Sequence, residues 1–116
     1  TDGREYPWGD TAPNFSLANY NMYNGDTTEV GSHPHDASPY GAMDMAGNVW
    51  EWVRDWYMTY NLIETNNPSG PANGDSKVLR GGNWYNSTRF LRTTYRSDES
   101  ASHKDKYTGF RCVSLP

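Results

Sequence analysis

MDMAGNVWEWVRDWY, residues 43–57, contains three of the five tryptophans of the chain and carries its strongest structural signal. Asn48 is a favourable helix N-cap residue, and Glu51 follows three positions later, as in a capping box. The large apolar residues recur at helical spacing on two faces: Trp50, Val53 and Tyr57 on one, Trp52 and Trp56 on the other. The pattern predicts a deeply buried helix at about residues 48–58.

The remaining sequence is rich in turn residues, with strands predicted only near its end. Residues 1–40 show no helical period, and residues 66–77 consist almost entirely of loop-forming residues. Three segments are typical of short strands: VLRGGNW (78–84), which enters a Gly-Gly turn, FLRTTYR (90–96) and TGFRCVSL (108–115). Together these elements predict a loop-rich α+β domain with short antiparallel strands and one clear helix.

Composition indicates one small folded domain. Of the 116 residues, 34% are hydrophobic but 15% are aromatic, so a few large rings must supply the core and disorder is a poor interpretation. Cys112 is the one cysteine, which excludes an internal disulfide and leaves a thiol that we expect to be buried and inert. No membrane span or signal peptide is visible. The compartment stays open, with an extracytoplasmic or secreted location favoured.

Charge is divided unevenly along the chain. Residues 1–76 hold eleven acidic and two basic side chains, a net charge of −9, whereas residues 77–116 hold eight basic and three acidic ones, a net charge of +5. The two parts can neutralise each other within one domain, which is the favoured interpretation. The alternative is an anionic partner for the basic part.

The segment HPHD, residues 33–36, brings His33, His35 and Asp36 close together in sequence. The flanking prolines place them in a loop without the spacing of a helical metal-binding pair. We therefore expect a solvated loop rather than a metal site.

Five motifs occur in a characteristic order: YPWGD, VGSHP, YGAMDMAGNVWEWVRDWY, VLRGGNW and TGFRCV. In this order the chain resembles the formylglycine-generating enzyme, or sulfatase-modifying factor, family. The resemblance implies a variant of the C-type-lectin-like fold. It also implies that residues 1–116 form the C-terminal part of a single such domain, whose N-terminal half is apparently absent. We expect the chain to stay associated with that missing half or with a partner chain.

Catalytic members of the family hold copper between two cysteines that follow the Gly-Gly turn. The positions that match them here are Asn86 and Leu91, and neither side chain can replace a thiolate ligand of soft Cu(I). We therefore expect neither copper binding nor formylglycine generation. Iron-dependent sulfoxide synthases share the domain, but the resemblance places their iron ligands in a separate N-terminal domain.

Calcium is the cofactor that the resemblance implies for the opening stretch, in a structural role. The implied ligands are two carboxylates and two carbonyl groups, from Asp44, Glu51, Gly47 and Val49. Calcium accepts such mixtures of hard oxygen ligands. The alternative is that Glu51 merely closes a capping box. A second implied site would use Asn19 and the Tyr20 carbonyl, with Asp26 as a further candidate.

The segment after the Gly-Gly turn matches the floor of the family's cleft. Its candidate ligand-binding residues combine aromatic rings with Arg and Asn donors: Trp84, Tyr85, Asn86, Arg89, Arg92 and Tyr95. Trp84 and Tyr95 could equally belong to the core. Some relatives carry hypervariable residues in the region that matches residues 83–108.

Three functions stay open. The first is a non-catalytic binding or display domain for a protein, peptide or carbohydrate ligand, with no role for nucleic acid. The second is the C-terminal module of an oxidoreductase, of the formylglycine-generating or sulfoxide synthase type, whose reactive residues lie elsewhere. The third is a structural subunit that stabilises another protein.

Overall fold

A four-stranded sheet with the strand order β3-β2-β1-β4 organises the chain. The computed structural model describes residues 2–60 and 70–113. The strands are β1 (Trp50–Trp56), β2 (Lys77–Arg80), β3 (Ser97–Glu99) and β4 (Thr108–Gly109), and a 3-10 helix spans Thr88–Leu91. Most of the other described residues lie in turns and loops. Among the described residues, no helix has the length and apolar character needed to cross a bilayer.

β1 is the centre of the sheet, because it pairs with a different strand on each side. It runs antiparallel to β2, with Trp52 opposite Leu79, and a bulge lies between Trp52 and Trp56. It runs parallel to β4, with Glu51 opposite Gly109. β2 continues the sheet by pairing antiparallel with β3. The parallel pair brings Thr108–Gly109 beside the opening stretch.

The predicted helix at residues 48–58 is wrong, since Trp50–Trp56 forms strand β1. Asn48 has a left-handed backbone with φ of 63° and does not cap a helix. Glu51 does not close a capping box either, because its carboxylate binds Arg111. Tryptophan and valine favour strands, and Trp50, Trp52 and Trp56 also fit a period of two. Pairing with strands that are distant in sequence therefore stabilises an extended conformation here rather than a helix.

The other predicted strands have mixed outcomes. The strand entering the Gly-Gly turn is confirmed by β2, after which Gly81 and Gly82 take left-handed conformations. The strand predicted at residues 90–96 is wrong, because the 3-10 helix and turns occupy that segment. Only Thr108–Gly109 of the last predicted strand is extended within a sheet, and residues 114–116 lie outside the described residues. Residues 66–69 of the predicted loop also lie outside them.

A network of hydrogen bonds around Asn48 joins β1 to the N-terminal loops. Asn48 Oδ1 accepts the Thr28 N–H at 2.9 Å and Asn19 Nδ2 at 3.3 Å, and Asn48 Nδ2 donates to the Thr28 carbonyl at 3.2 Å. The Asn48 backbone donates to the Asn19 carbonyl and accepts the Trp84 N–H. We call this set of contacts the Asn48 network. It fixes where β1 begins, since Asn48 and Asn19 are both buried.

Gly47 allows the Asn48 network to close. A Cβ atom at this position would lie 2.5 Å from the Asn19 carbonyl oxygen, and its φ is +81°. Both the space and the left-handed conformation therefore require glycine. The neighbouring core is small and combines aromatic with aliphatic side chains, and its buried residues are Tyr6, Ala18, Tyr20, Ala46 and Leu91.

Candidate ligand-binding face

The two positions that match the family's copper-binding cysteines have structural roles here. Asn86 forms a tight turn, in which its Oδ1 accepts the Asn83 N–H at 3.2 Å and its own N–H donates to Asn83 Oδ1 at 3.0 Å. Leu91 is only 1% exposed and belongs to the core. Cys112 is exposed, so the expectation of a buried thiol is wrong. Neither matched position offers a soft metal ligand.

The predicted calcium ligands Asp44 and Glu51 lie on either side of Arg111. The guanidinium binds both Glu51 carboxylate oxygens, with Nε to Oε2 at 2.7 Å, and donates to the Met43 and Asp44 carbonyls at 2.9 Å. The charged hydrogen bond to Glu51 raises the pKa of Arg111. The Arg111 guanidinium therefore already neutralises the Glu51 carboxylate.

Gly47 and Val49, the two predicted carbonyl ligands, lie between Asp44 and Glu51 in the sequence. Gly47 is buried and Val49 is half-buried. In the described part of the chain, no group of three or more His, Cys, Asp or Glu side chains is arranged to hold a metal ion. The Arg111 contact makes Glu51 a poor fit for calcium in this conformation. Calcium binding by this set stays a prediction.

His33 and Asp36 are buried beside Asp44, so the expected solvated loop is wrong for these two residues. Asp36 Oδ2 accepts the Asp44 N–H at 2.7 Å, and Asp44 Oδ2 accepts the Gly31 N–H at 2.6 Å. Burial raises the pKa of Asp36, although the hydrogen bond from Asp44 opposes this shift. Both carboxylates therefore accept backbone hydrogen bonds that stabilise the loop.

Asn19 and Tyr20, the residues of the second predicted calcium site, are both buried. Asn19 Nδ2 donates to the Asp26 carbonyl at 2.9 Å, and Asn19 Oδ1 accepts Asn24 Nδ2 at 3.2 Å. The Tyr20 carbonyl accepts the Tyr23 N–H at 3.1 Å. These groups are already engaged in organising the loop, and a metal at this site also stays a prediction.

An open cavity of about 560 Å³ lies between the end of β1 and the segment that follows the 3-10 helix. Its lining combines three arginines and three tyrosines: Arg89, Arg92, Arg96, Tyr57, Tyr60 and Tyr95. Thr94 completes the wall. We call this feature the arginine–tyrosine cavity. It brings together three of the predicted ligand-binding residues, namely Arg89, Arg92 and Tyr95.

The other three predicted ligand-binding residues lie outside the cavity lining. Trp84 is buried, which confirms the core alternative for this residue. Tyr85 is exposed and packs edge-on against Trp84 and Tyr107. Asn86 forms the turn described above. Tyr95 serves both roles, because it lines the cavity and also packs against Phe90 with ring centroids 4.8 Å apart.

Sequence reasoning missed Tyr57, Tyr60, Thr94 and Arg96 as cavity residues. Tyr57 lies within the predicted helix and Tyr60 lies two residues beyond it, so the pattern did not place either residue beside the later segment. Arg96 lies in the same FLRTTYR segment as Arg92 and Tyr95, and the clustering of arginines there was the available signal.

Arg96 is held in place within the cavity. Its Cζ lies 3.6 Å from the ring centroid of Tyr60 and 5.1 Å from that of Tyr57, and its Nη2 donates to the Met58 carbonyl at 3.0 Å. Such cation–π contacts stabilise a guanidinium by about 0.5–1 kcal/mol at exposed sites. The Arg96 guanidinium is thereby oriented before any ligand arrives.

Arg80 supports the same wall from β2. Its Nη1 donates to the Thr93 carbonyl at 2.8 Å and the Tyr95 carbonyl at 3.0 Å, and its Nη2 lies 3.4 Å from the Tyr60 hydroxyl. Arg92 Nε lies 3.0 Å from Glu5 Oε1, and both side chains are about half exposed. Among residues 2–60 and 70–113, Glu5 is the only carboxylate that forms an ion pair with a cavity arginine. The described lining of the cavity therefore carries a net positive charge.

Comparison with known proteins identifies the family of this domain. Residues 1–115 match the sulfatase-modifying factor enzyme 1-like domain, which confirms the resemblance found in the sequence. Serine/threonine-protein kinase pkn1 of Chlamydia caviae is 40% identical over 112 residues, covering 93% of this chain and 17% of that protein. Hercynine oxygenase of Mycolicibacterium smegmatis is 35% identical over 116 residues, covering 93% of this chain and 27% of that protein.

A solved structure gives the same result at the level of the fold. Treponema denticola variable protein 1 superposes with a TM-score of 0.78 at 31% identity, covering 93% of this chain and 40% of that one. The chain spans less than half the length of each of these three proteins. The comparisons therefore describe a shared domain.

Proposed function

Because the chain belongs to the sulfatase-modifying factor enzyme 1-like domain family, we propose that it is a non-catalytic ligand-binding or display domain built on that scaffold. The description of the scaffold as a variant of the C-type-lectin-like fold is part of this proposal. So is recognition through the surface that residues 83–108 contribute, part of which lines the arginine–tyrosine cavity.

The observation that carries the proposal is the arginine–tyrosine cavity itself. Its volume of about 560 Å³ falls within the range of about 300–1,000 Å³ that is usual for small-molecule sites. Arginine and tyrosine are also the residues that dominate binding energy at protein surfaces, because they combine large contact area with directed hydrogen bonds. Similarity to Treponema denticola variable protein 1 supports the scaffold on which the proposal places this cavity.

The replaced copper positions argue against formylglycine chemistry within this chain. Asn86 forms a turn and offers only an amide, and Leu91 is a core residue whose side chain has no donor atom for a metal.

A second candidate function is the C-terminal module of an oxidoreductase. Similarity to hercynine oxygenase favours it, since the matched region is only 27% of that enzyme and reactive residues could lie in a further part of a longer protein. In that case the cavity described here would position a substrate rather than display a surface.

An array experiment tests the binding proposal. The purified, fluorescently labelled chain is applied to immobilised glycans and peptides, beside a Tyr60→Ala/Arg89→Ala variant. We expect specific signals that the variant loses while its circular dichroism spectrum is unchanged. Tyr40→Ala/Arg54→Ala is the matched control, because both of its residues are exposed and lie outside the cavity lining.

A catalytic arm tests whether this chain by itself generates formylglycine. The chain is incubated with Cu(I) and a cysteine-containing sulfatase peptide, and mass spectrometry follows the peptide. No loss of sulfur is expected. Formation of formylglycine, or array signals that are equal in all variants, would contradict the binding proposal.

A further inference from the structure

We propose that the arginine–tyrosine cavity binds a sugar that carries a carboxylate, such as a uronic acid unit. This inference rests on the binding function proposed above and names the class of ligand. Charge, hydrogen-bonding groups, exposed rings and preorganisation of the cavity each contribute to it.

The charge of the lining selects an anion. Arg89, Arg92 and Arg96 face the same space, Arg80 stands behind the wall, and none of the described residues in the lining is acidic. The Glu5 partner of Arg92 is exposed, and pairs of this kind are worth only about 0–1 kcal/mol. An incoming carboxylate can therefore compete for the Arg92 guanidinium.

The negative charge of the rest of the chain favours a small anionic ligand over a long one. Residues 1–76 carry a net charge of −9 and the whole chain −4, so the positive cavity is set in an acidic molecule. A nucleic acid or another extended polyanion would be repelled by most of this surface. A single carboxylate avoids that repulsion, and its planar shape matches the fork of a guanidinium.

The other lining groups are suited to a sugar. Tyr57 and Tyr60 are 38% and 62% exposed, so part of each side chain can contact an apolar ring face. Thr94 and the tyrosine hydroxyls can each donate and accept hydrogen bonds, as sugar hydroxyls require. Peptide carboxylates lack such a dense set of hydroxyl groups, which is why we favour the saccharide.

Arg96 and Arg89 differ in how firmly the protein holds their guanidinium groups, which suggests two different roles. Arg96 is fixed by Tyr60 and the Met58 carbonyl, so little conformational freedom is lost when it meets a ligand. Arg89 is exposed at the rim, with its Cζ 4.5 Å from the Phe90 ring centroid. We assign Arg96 to orienting the ligand and Arg89 to contacting its carboxylate.

The test compares acidic sugars with matched neutral ones by isothermal titration calorimetry on the whole chain. The probes are galacturonic acid and its methyl ester, which differ in charge but share the same saccharide, and 3′-sialyllactose with lactose. We expect at least one acid to bind about tenfold or more tightly than its neutral counterpart. Arg89→Gln should weaken that acid about tenfold and leave the neutral sugar unchanged.

Arg54→Gln is the control, because Arg54 is exposed on β1 and lies outside the cavity lining. It removes the same charge and should leave affinity unchanged. Equal weakening by Arg54→Gln and Arg89→Gln, or equal binding of acid and ester, would overturn the proposal. So would binding of a phosphopeptide or a sulfated sugar in this cavity with no binding of either acid. These results would leave the binding function intact, whereas array signals insensitive to the cavity variants would remove the binding function itself.

Discussion

The Asn48 network and the arginine–tyrosine cavity use polar side chains in opposite ways. In the network, a buried amide uses both of its polar atoms to join Asn19 and Thr28, and the backbone around it is closely packed. In the cavity, guanidinium and hydroxyl groups face an open space. Hydrogen bonds made within the protein specify the fold, whereas donors left facing solvent are available for recognition.

Substitutions should therefore separate the two regions by what they change. Changes in the Asn48 network should lower the free energy of unfolding by several kcal/mol, whereas changes at the cavity rim should alter binding with little loss of stability.

Gly47→Ala should have the largest effect on stability. Its Cβ would lie 2.5 Å from the Asn19 carbonyl oxygen, with φ at +81°. Overpacking and left-handed strain together should lower the free energy of unfolding by about 4 kcal/mol. Urea denaturation provides the measurement. Gly25→Ala is the control, since its φ is +72° but nothing lies within 4 Å, and it should cost only about 1 kcal/mol. Equal losses would show that packing at Gly47 is unimportant.

Asn48→Ala should follow, at about 3 kcal/mol, because it removes the three hydrogen bonds that the Asn48 side chain makes with buried Asn19 and half-buried Thr28. Asn21→Ala is the matched control. Asn21 also has a left-handed backbone, with φ of 54°, but it is exposed. The control therefore isolates the cost of placing alanine in this conformation. If the two variants unfold at the same urea concentration, the Asn48 side chain does not stabilise the fold.

Arg111→Ala tests how the Glu51 carboxylate is neutralised. Loss of its contacts to Glu51 and the Met43–Asp44 backbone should lower the free energy of unfolding by about 2 kcal/mol. The structure predicts the same loss in chelator and in excess calcium. Arg92→Ala breaks the more exposed pair with Glu5 and should cost less than about 1 kcal/mol. A thermal transition of the unaltered protein that falls by several degrees on chelation would instead favour calcium at Asp44 and Glu51.

Asp36→Asn should have the smallest effect, one that depends on pH. Burial raises the folded-state pKa of Asp36, so its protonated form favours folding. That contribution is fully present below the unfolded-state value of about 3.9 and is lost as pH rises through the folded-state pKa. The variant should therefore gain stability relative to the unaltered protein as pH rises from about 4 toward neutrality.

Thermal unfolding across that pH range provides the measurement for Asp36→Asn. Asp44, His33 and Arg111 are present in both proteins, so the comparison removes most of their contribution. Asp75→Asn, at an exposed carboxylate, is the control. A stability difference that does not vary with pH would contradict the raised pKa.

Some of this organisation could be predicted from the sequence, and the missing parts have identifiable causes. The motifs indicated the family, and the hydrophobic run before Gly81 and Gly82 indicated β2. The choice between helix and strand at Trp50–Trp56 could not be made locally, because Asn48 suits either a helix cap or a left-handed entry into a strand. Contacts with Asn19 and Thr28, far away in sequence, decide it.

The same long-range pairing explains what was found and missed at the candidate site. Arg89, Arg92 and Tyr95 lie within one short segment that the family motif identifies. Tyr57 and Tyr60 join them only because β1 is extended and ends beside that segment. Arg111 could not be linked to Glu51 from spacing, since 60 residues separate them and the parallel pairing of β1 with β4 brings them together.

The position of Cys112 directly after Arg111 gives the protein a native attachment point for a spectroscopic label. This thiol is exposed, and the sequence contains no second cysteine that would compete for a maleimide reagent. A spin label or dye coupled there would lie one residue beyond the guanidinium that holds Glu51. Its mobility would therefore report when Arg111 releases the carboxylate, in the natural sequence and without an engineered residue.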